Sequence, residues 1–159
     1  MKAQVQARIL IYVLAIFIAG MILLYGYSVV KNLLVTQESV QMLDFKKNVQ
    51  DQVEALSYAF RDVRENRFQL PVKYTGLCFV NLDIADAGDK VPDNYTLIKN
   101  SVKEGARKNV FVVEGNRMGE AFTVGKIEVE NDFTCFPVVN GQVRLRFEAL
   151  GRAVKISSW

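Results

Sequence analysis

The chain has 159 residues, 50% of them hydrophobic, with 20 basic and 17 acidic side chains and a net charge of +3. That length fits one domain with an appendage, and no stretch is basic enough to serve as a nucleic-acid surface. Histidine is absent, which removes the commonest general base and the commonest transition-metal ligand together.

The first predicted element is a membrane span. Ile9 to Val30 carries no charged residue. At about 1.5 Å per residue these 22 positions reach about 33 Å, enough for a hydrocarbon core of about 30 Å. The apolar region of a secretory signal is shorter, about 7–15 residues, and ends at a small-residue cleavage site. Here the run ends in Tyr25-Gly26-Tyr27-Ser28, which fits an interfacial aromatic belt. Ala15 and Ala19 form one small-xxx-small pair, a weak helix–helix signal. Lys2 and Arg8 precede the run, and Lys31 is the nearest basic residue after it. The positive-inside rule therefore expects a single-pass protein of the cell membrane, N-terminus cytoplasmic and C-terminal domain outside.

The helical pattern is expected to continue beyond the span, from near Gln4 to near Glu65. Met42, Phe45, Val49, Val53, Leu56, Phe60 and Val63 recur at spacings of three and four, with charged residues such as Lys46, Lys47, Asp51 and Glu54 between them. This is one apolar stripe on an amphipathic helix. It could be a coiled-coil seam between two chains, or the face that packs on the protein's own sheet. Two phenylalanines are bulky for a tight seam, and intramolecular packing is the preferred expectation.

Leu70-Pro71-Val72 breaks the helical pattern. Tyr74–Leu82 reads as a strand, 83–92 as a loop, and 93–104 as a short helix closed by Gly105. Strands are expected over 110–113, 121–129, 133–139, about 143–148 and 153–157. Asn140-Gly141 is a strong hairpin signal, and Val143, Leu145 and Phe147 alternate with Arg144, Arg146 and Glu148. The expected fold class is α+β, a long N-terminal helix packed on a small antiparallel β-rich head. Its segments are a leader and span (1–30), an amphipathic continuation (31–66) and an extracytoplasmic head (67–159).

Several residues invite chemistry. Cys78 and Cys135 are the only cysteines. They leave two options, one disulfide or two buried thiols; an outside domain favours the disulfide, which would contribute about 2–4 kcal/mol. Asn94-Tyr95-Thr96 is a glycosylation acceptor triplet. Asp83, Asp86, Asp89 and Asp93 supply oxygen ligands of the kind calcium needs, without EF-hand spacing. Aspartate is equally an ordinary loop and cap residue. Arg144, Arg146, Arg152 and Lys155 form a basic C-terminal group, which can also guard an edge strand. No GxSxG, P-loop or GxGxxG is present, so no catalytic, cofactor or metal site is expected.

A helix half in the membrane and half on a β-rich head resembles the layout of archaeal type IV pilin-like proteins. Lys2-Ala3-Gln4 looks like their leader site, where a membrane peptidase cuts before the hydrophobic run and leaves the helix attached. On that resemblance Ala3 and Gln4 flank the cut. Pilins often carry Glu at the fifth mature position; this chain has Arg8 there. The N-terminal pattern and the CFV…CF head also resemble, more loosely, other archaeal single-pass membrane proteins. The resemblance implies a non-enzymatic surface protein, a pilin-like subunit or minor component of a pilus-like machine. Its partners would be membrane lipid, other copies and assembly proteins, with no nucleic acid. Two alternatives stand beside it: an anchored binding or accessory module that does not polymerise, and a membrane-tethered hydrolase.

Overall fold

The computed structural model describes the backbone from Lys2 and the side chains from Ile9 onward, apart from those of residues 32, 34 and 35. The candidate processing residues Ala3 and Gln4, and Arg8 with them, lie outside the described side chains. The fold is α+β, as the sequence leads one to expect. Helix α1 spans Lys2–Ser57. The chain divides into two compact units, Met1–Val40 and Gln41–Trp159.

In the first unit, the large apolar side chains of Ile9–Val30 are 45–78% exposed. A helix apolar on every face is of the kind that crosses a membrane or is buried by other elements. Among the described residues this is the one helix long and apolar enough to cross a membrane, with a mean hydropathy of 2.6.

The second unit is built on the stripe. Met42, Phe45, Val49, Val53 and Leu56 are each 2% exposed or less. They meet two four-stranded sheets. The strands are β1 (Phe60–Gln69), β2 (Gly76–Val80), β3 (Val110–Glu114), β4 (Arg117–Phe122), β5 (Ile127–Val129), β6 (Phe133–Pro137), β7 (Gln142–Leu150) and β8 (Val154–Ser158). One sheet runs β1-β7-β8-β5 and the other β4-β3-β2-β6. All pairings are antiparallel except β5 with β8. A short helix α2, Thr96–Lys103, buries Ile98 and Val102. Those two join Cys78, Val80, Phe111 and Val113 in a second, smaller core. The β4-β3-β2-β6 sheet is therefore covered on both faces, by the main core and by α2.

Three expectations are corrected. First, α1 ends at Ser57, not near Glu65. Phe60 and Val63, read as the last members of the helical stripe, lie on β1 and are 73% and 42% exposed. Ala59 N–H donates to the Leu56 carbonyl and Arg61 takes a left-handed φ of 59°, which turns the chain into the strand. Pairing along β7, from Phe60↔Leu150 to Gln69↔Gln142, then supplies the backbone hydrogen bonds the helix would have made. The boundary drawn between 66 and 67 therefore falls inside a strand.

Second, the single sheet is two. Third, Asn140-Gly141 does not close a hairpin of neighbouring strands. Asn140 and Gly141 do adopt the paired positive φ values, 52° and 71°, and Val139 bridges Gln142. But β6 belongs to one sheet and β7 to the other, so the turn is a corner between sheets. Glycine is required there, because a Cβ at Gly141 would stand 2.7 Å from the Leu70 carbonyl oxygen.

Phe45 stands edge-on to Phe68 of β1 and to Phe122 of β4, each ring centroid 5.9 Å away. Phe45→Ala should cost about 3–5 kcal/mol in chemical denaturation, the loss typical of a buried aromatic. Phe60→Ala, one residue of the same apparent periodicity, should stay within about 0.5 kcal/mol, as exposed positions do. Equal costs would restore Phe60 to the packed stripe.

Candidate functional site

The register of β2 on β6 places Cys78 directly opposite Cys135. Their Cα atoms lie 3.9 Å apart and the sulfurs are bonded. Cys78 is wholly buried among the residues under α2. The bond ties the two strands over a sequence separation of 57 residues.

Beside the disulfide lies an open groove of about 490 Å³. The start of α2 and the β3–β4 turn form its walls, with Tyr95, Ile98, Asn116, Arg117 and Pro137 among its lining. The acceptor residue Asn94 sits exposed at the rim of this groove. The Thr96 hydroxyl donates to the Asp93 carbonyl at 2.7 Å, and Tyr95 packs against Phe133 with centroids 5.4 Å apart. Among the described lining residues the ionisable side chains are Tyr95 and Arg117. A groove so lined can hold a ligand by shape and hydrogen bonds, but it offers no acid–base pair for hydrolysis.

The aspartates do not converge. Asp93 meets Lys99 at 2.6 Å, Asp89 meets Lys103 at 2.6 Å, and Asp83 faces Lys126 at 3.6 Å. Asp86 caps the turn at Ala87–Lys90 with a left-handed φ of 58°. Among the described residues no group of acidic or thiol side chains is arranged to hold a metal ion. Lys99 and Lys103 of α2, with Lys126 beyond it, thus supply the counter-charge to Asp93, Asp89 and Asp83. Hydrogen bonding and charge from Lys103 hold the Asp89 carboxyl below its usual range, and Lys99 does the same for Asp93. The Lys103 ammonium is raised in return, by Asp89 first.

Two buried amides escaped the sequence reading. Asn109, 3% exposed, donates to the Gly125 carbonyl at 2.6 Å and accepts from Val124 N–H at 3.0 Å. Asn81, 7% exposed, donates to Asp132 and accepts from Asp83 N–H. Both pin loops that lack regular backbone pairing. Their only sequence signal is an amide beside a strand, which is too common to single out. The basic C-terminal group also separates. Arg146 faces Glu65 at 3.9 Å, Lys155 pairs across strands with Glu148 and Glu128, and Arg152 lies exposed in the β7–β8 turn.

No protein-family model, curated protein or solved structure matches this chain.

Two predictions follow from this geometry. Replacing Asn109 by Ala strands a buried N–H and a buried carbonyl, and should cost about 1–3 kcal/mol in urea denaturation. Lys103→Met should lower stability slightly at neutral pH, because the pair is exposed. The depressed Asp89 contributes stability above its unfolded pKa and loses it as pH falls through its folded value. The raised Lys103 contributes below its unfolded pKa and loses it as pH rises through its folded value. The gap between wild type and variant should therefore be full between about pH 4 and about pH 10 in a denaturation series, and close only as pH falls on through the folded Asp89 value or rises on through the folded Lys103 value. A gap independent of pH would assign the loss to packing of the lysine stem on Gly88.

Proposed function

We propose that this chain is a non-enzymatic, membrane-anchored surface protein, a pilin-like subunit or minor component of a type IV pilus-like machine. The observation that carries the reading is the double use of α1. Its first part is an uncharged run of membrane-spanning length, and its last turns supply the buried stripe of the head. An element used both as anchor and as core suits a subunit that is held by, or assembled from, its N-terminal helix. The head carries a disulfide, which is stable in oxidising space outside the cytoplasm. Lys2 and Arg8 before the span favour a cytoplasmic N-terminus.

The second reading is an anchored accessory module that never polymerises. Arg8 favours it, because a cation stands where pilins often place the glutamate that meets a neighbouring subunit's terminus.

The intact mass of the protein from its native membrane separates the two. Loss of Met1–Ala3 supports the pilin-type reading; a chain that retains Lys2 and Ala3 overturns it in favour of a permanent single-pass anchor. The same spectrum before and after reduction should differ by two hydrogens, reporting the Cys78–Cys135 bond. It also shows whether Asn94 carries a glycan.

A further inference from the structure

The outer face of the β1-β7-β8-β5 sheet carries a row that the charge count does not reveal. Phe68 pairs with Val143, both buried, so the adjacent pair Arg67↔Arg144 points outward. Like charges directly opposite each other on neighbouring strands are unfavourable. Among the described residues neither guanidinium is within ion-pair distance of a carboxylate. Continuing the register of β8 on β7 beyond Leu145↔Ser158 sets Trp159 opposite Arg144. The Arg144 guanidinium lies 5.6 Å from the centroid of the Trp159 ring, which is 54% exposed. The next pair along, Gln69↔Gln142, is also exposed. Two guanidiniums, one indole and two amides thus occupy one end of this face.

We propose that this Arg67–Arg144–Trp159 row binds an acidic glycan. Paired guanidiniums present forked donors that match a carboxylate or sulfate, and an anion between them removes the like-charge penalty. The exposed indole offers a flat apolar surface to a sugar ring, and the amides of Gln69 and Gln142 offer donors and acceptors to its hydroxyls. An anionic bilayer fits less well, because beyond the row the same face alternates in sign, with Glu65 facing Arg146 and Lys155 opposite both Glu148 and Glu128, and so offers no broad positive surface. The inference is independent of how the N-terminus is processed.

Trp159 is the only tryptophan in the chain, so its emission reports the site directly. The full chain in an uncharged detergent would be titrated with a guluronate hexasaccharide and with a heparin hexasaccharide. Neutral cellohexaose, glycerol 3-phosphate and polyglutamate serve as comparisons. A saturable change with at least one acidic oligosaccharide is expected, weakened about tenfold or more in Arg67→Gln, the scale of a lost charge-assisted contact. That variant leaves the Arg144–Trp159 contact in place, and its thermal transition shows that the fold is kept. The proposal is overturned if neither acidic oligosaccharide saturates, or if Arg67→Gln binds as wild type. It is equally overturned if polyglutamate or glycerol 3-phosphate binds as tightly, which would make the site a peptide or headgroup contact.

Discussion

The head depends on one contact, the insertion of Phe45 between Phe68 and Phe122. Phe68 is on β1, an edge strand of one sheet; Phe122 is on β4, an edge strand of the other. Two sheets packed face to face leave a seam along their edges, and a seam lined by apolar side chains must be covered. The stripe from Met42 to Leu56 covers it from a third side. The polar side chains around the stripe hold it there. Lys46 pairs with Glu120 of β4, and Gln50 donates to the Thr123 carbonyl at 2.8 Å. Without these last turns of α1 the main core would lose Met42, Phe45, Val49, Val53 and Leu56 together. The helix is therefore not an appendage of the head but part of its core.

That arrangement explains which edges are protected and how. β4 has the helix beside it. β1 meets the helix only where Phe68 packs on Phe45, and FRDVRENRFQ carries a charge at five of its ten positions. Charged edges and a bulge between Phe60 and Val63 discourage pairing with another chain. The second sheet has a different problem, since both faces are apolar. α2 solves it with Ile98 and Val102, while Lys99 and Lys103, on the same helix, bind the loop acids. A Cβ at Gly88 would meet Lys103 Cγ at 2.5 Å, so the loop and the helix are closely fitted. The acidic loop is thus read best as the clasp that seats α2 on its sheet.

Much of this was legible, and what was not has a common cause. The uncharged run, the stripe as far as Leu56, the short helix and the alternation of β7 are local patterns, and each appears where its pattern lies. The end of α1 was not legible, because Phe60 and Val63 fall at helical spacing by coincidence. Their fate is decided by β7, more than 70 residues later in the chain. The corner at Asn140-Gly141 shows the same limit. Its dihedral angles follow from the dipeptide, yet which strands it joins depends on β2 claiming β6 and on β1 and β8 claiming β7.

The charged residues carry that argument to the surface. In sequence, Arg144 and Arg146 look equivalent, two outward positions of one alternating strand. Register separates them. Arg146 stands opposite Glu65, whereas Arg144 stands opposite Arg67. A strand partner one pair along changes a neutralised cation into half of a like-charged pair with an aromatic neighbour. Composition shows only that bases and acids nearly balance. The pairing decides where they fail to cancel, and the place where they fail is where an anion gains most by binding.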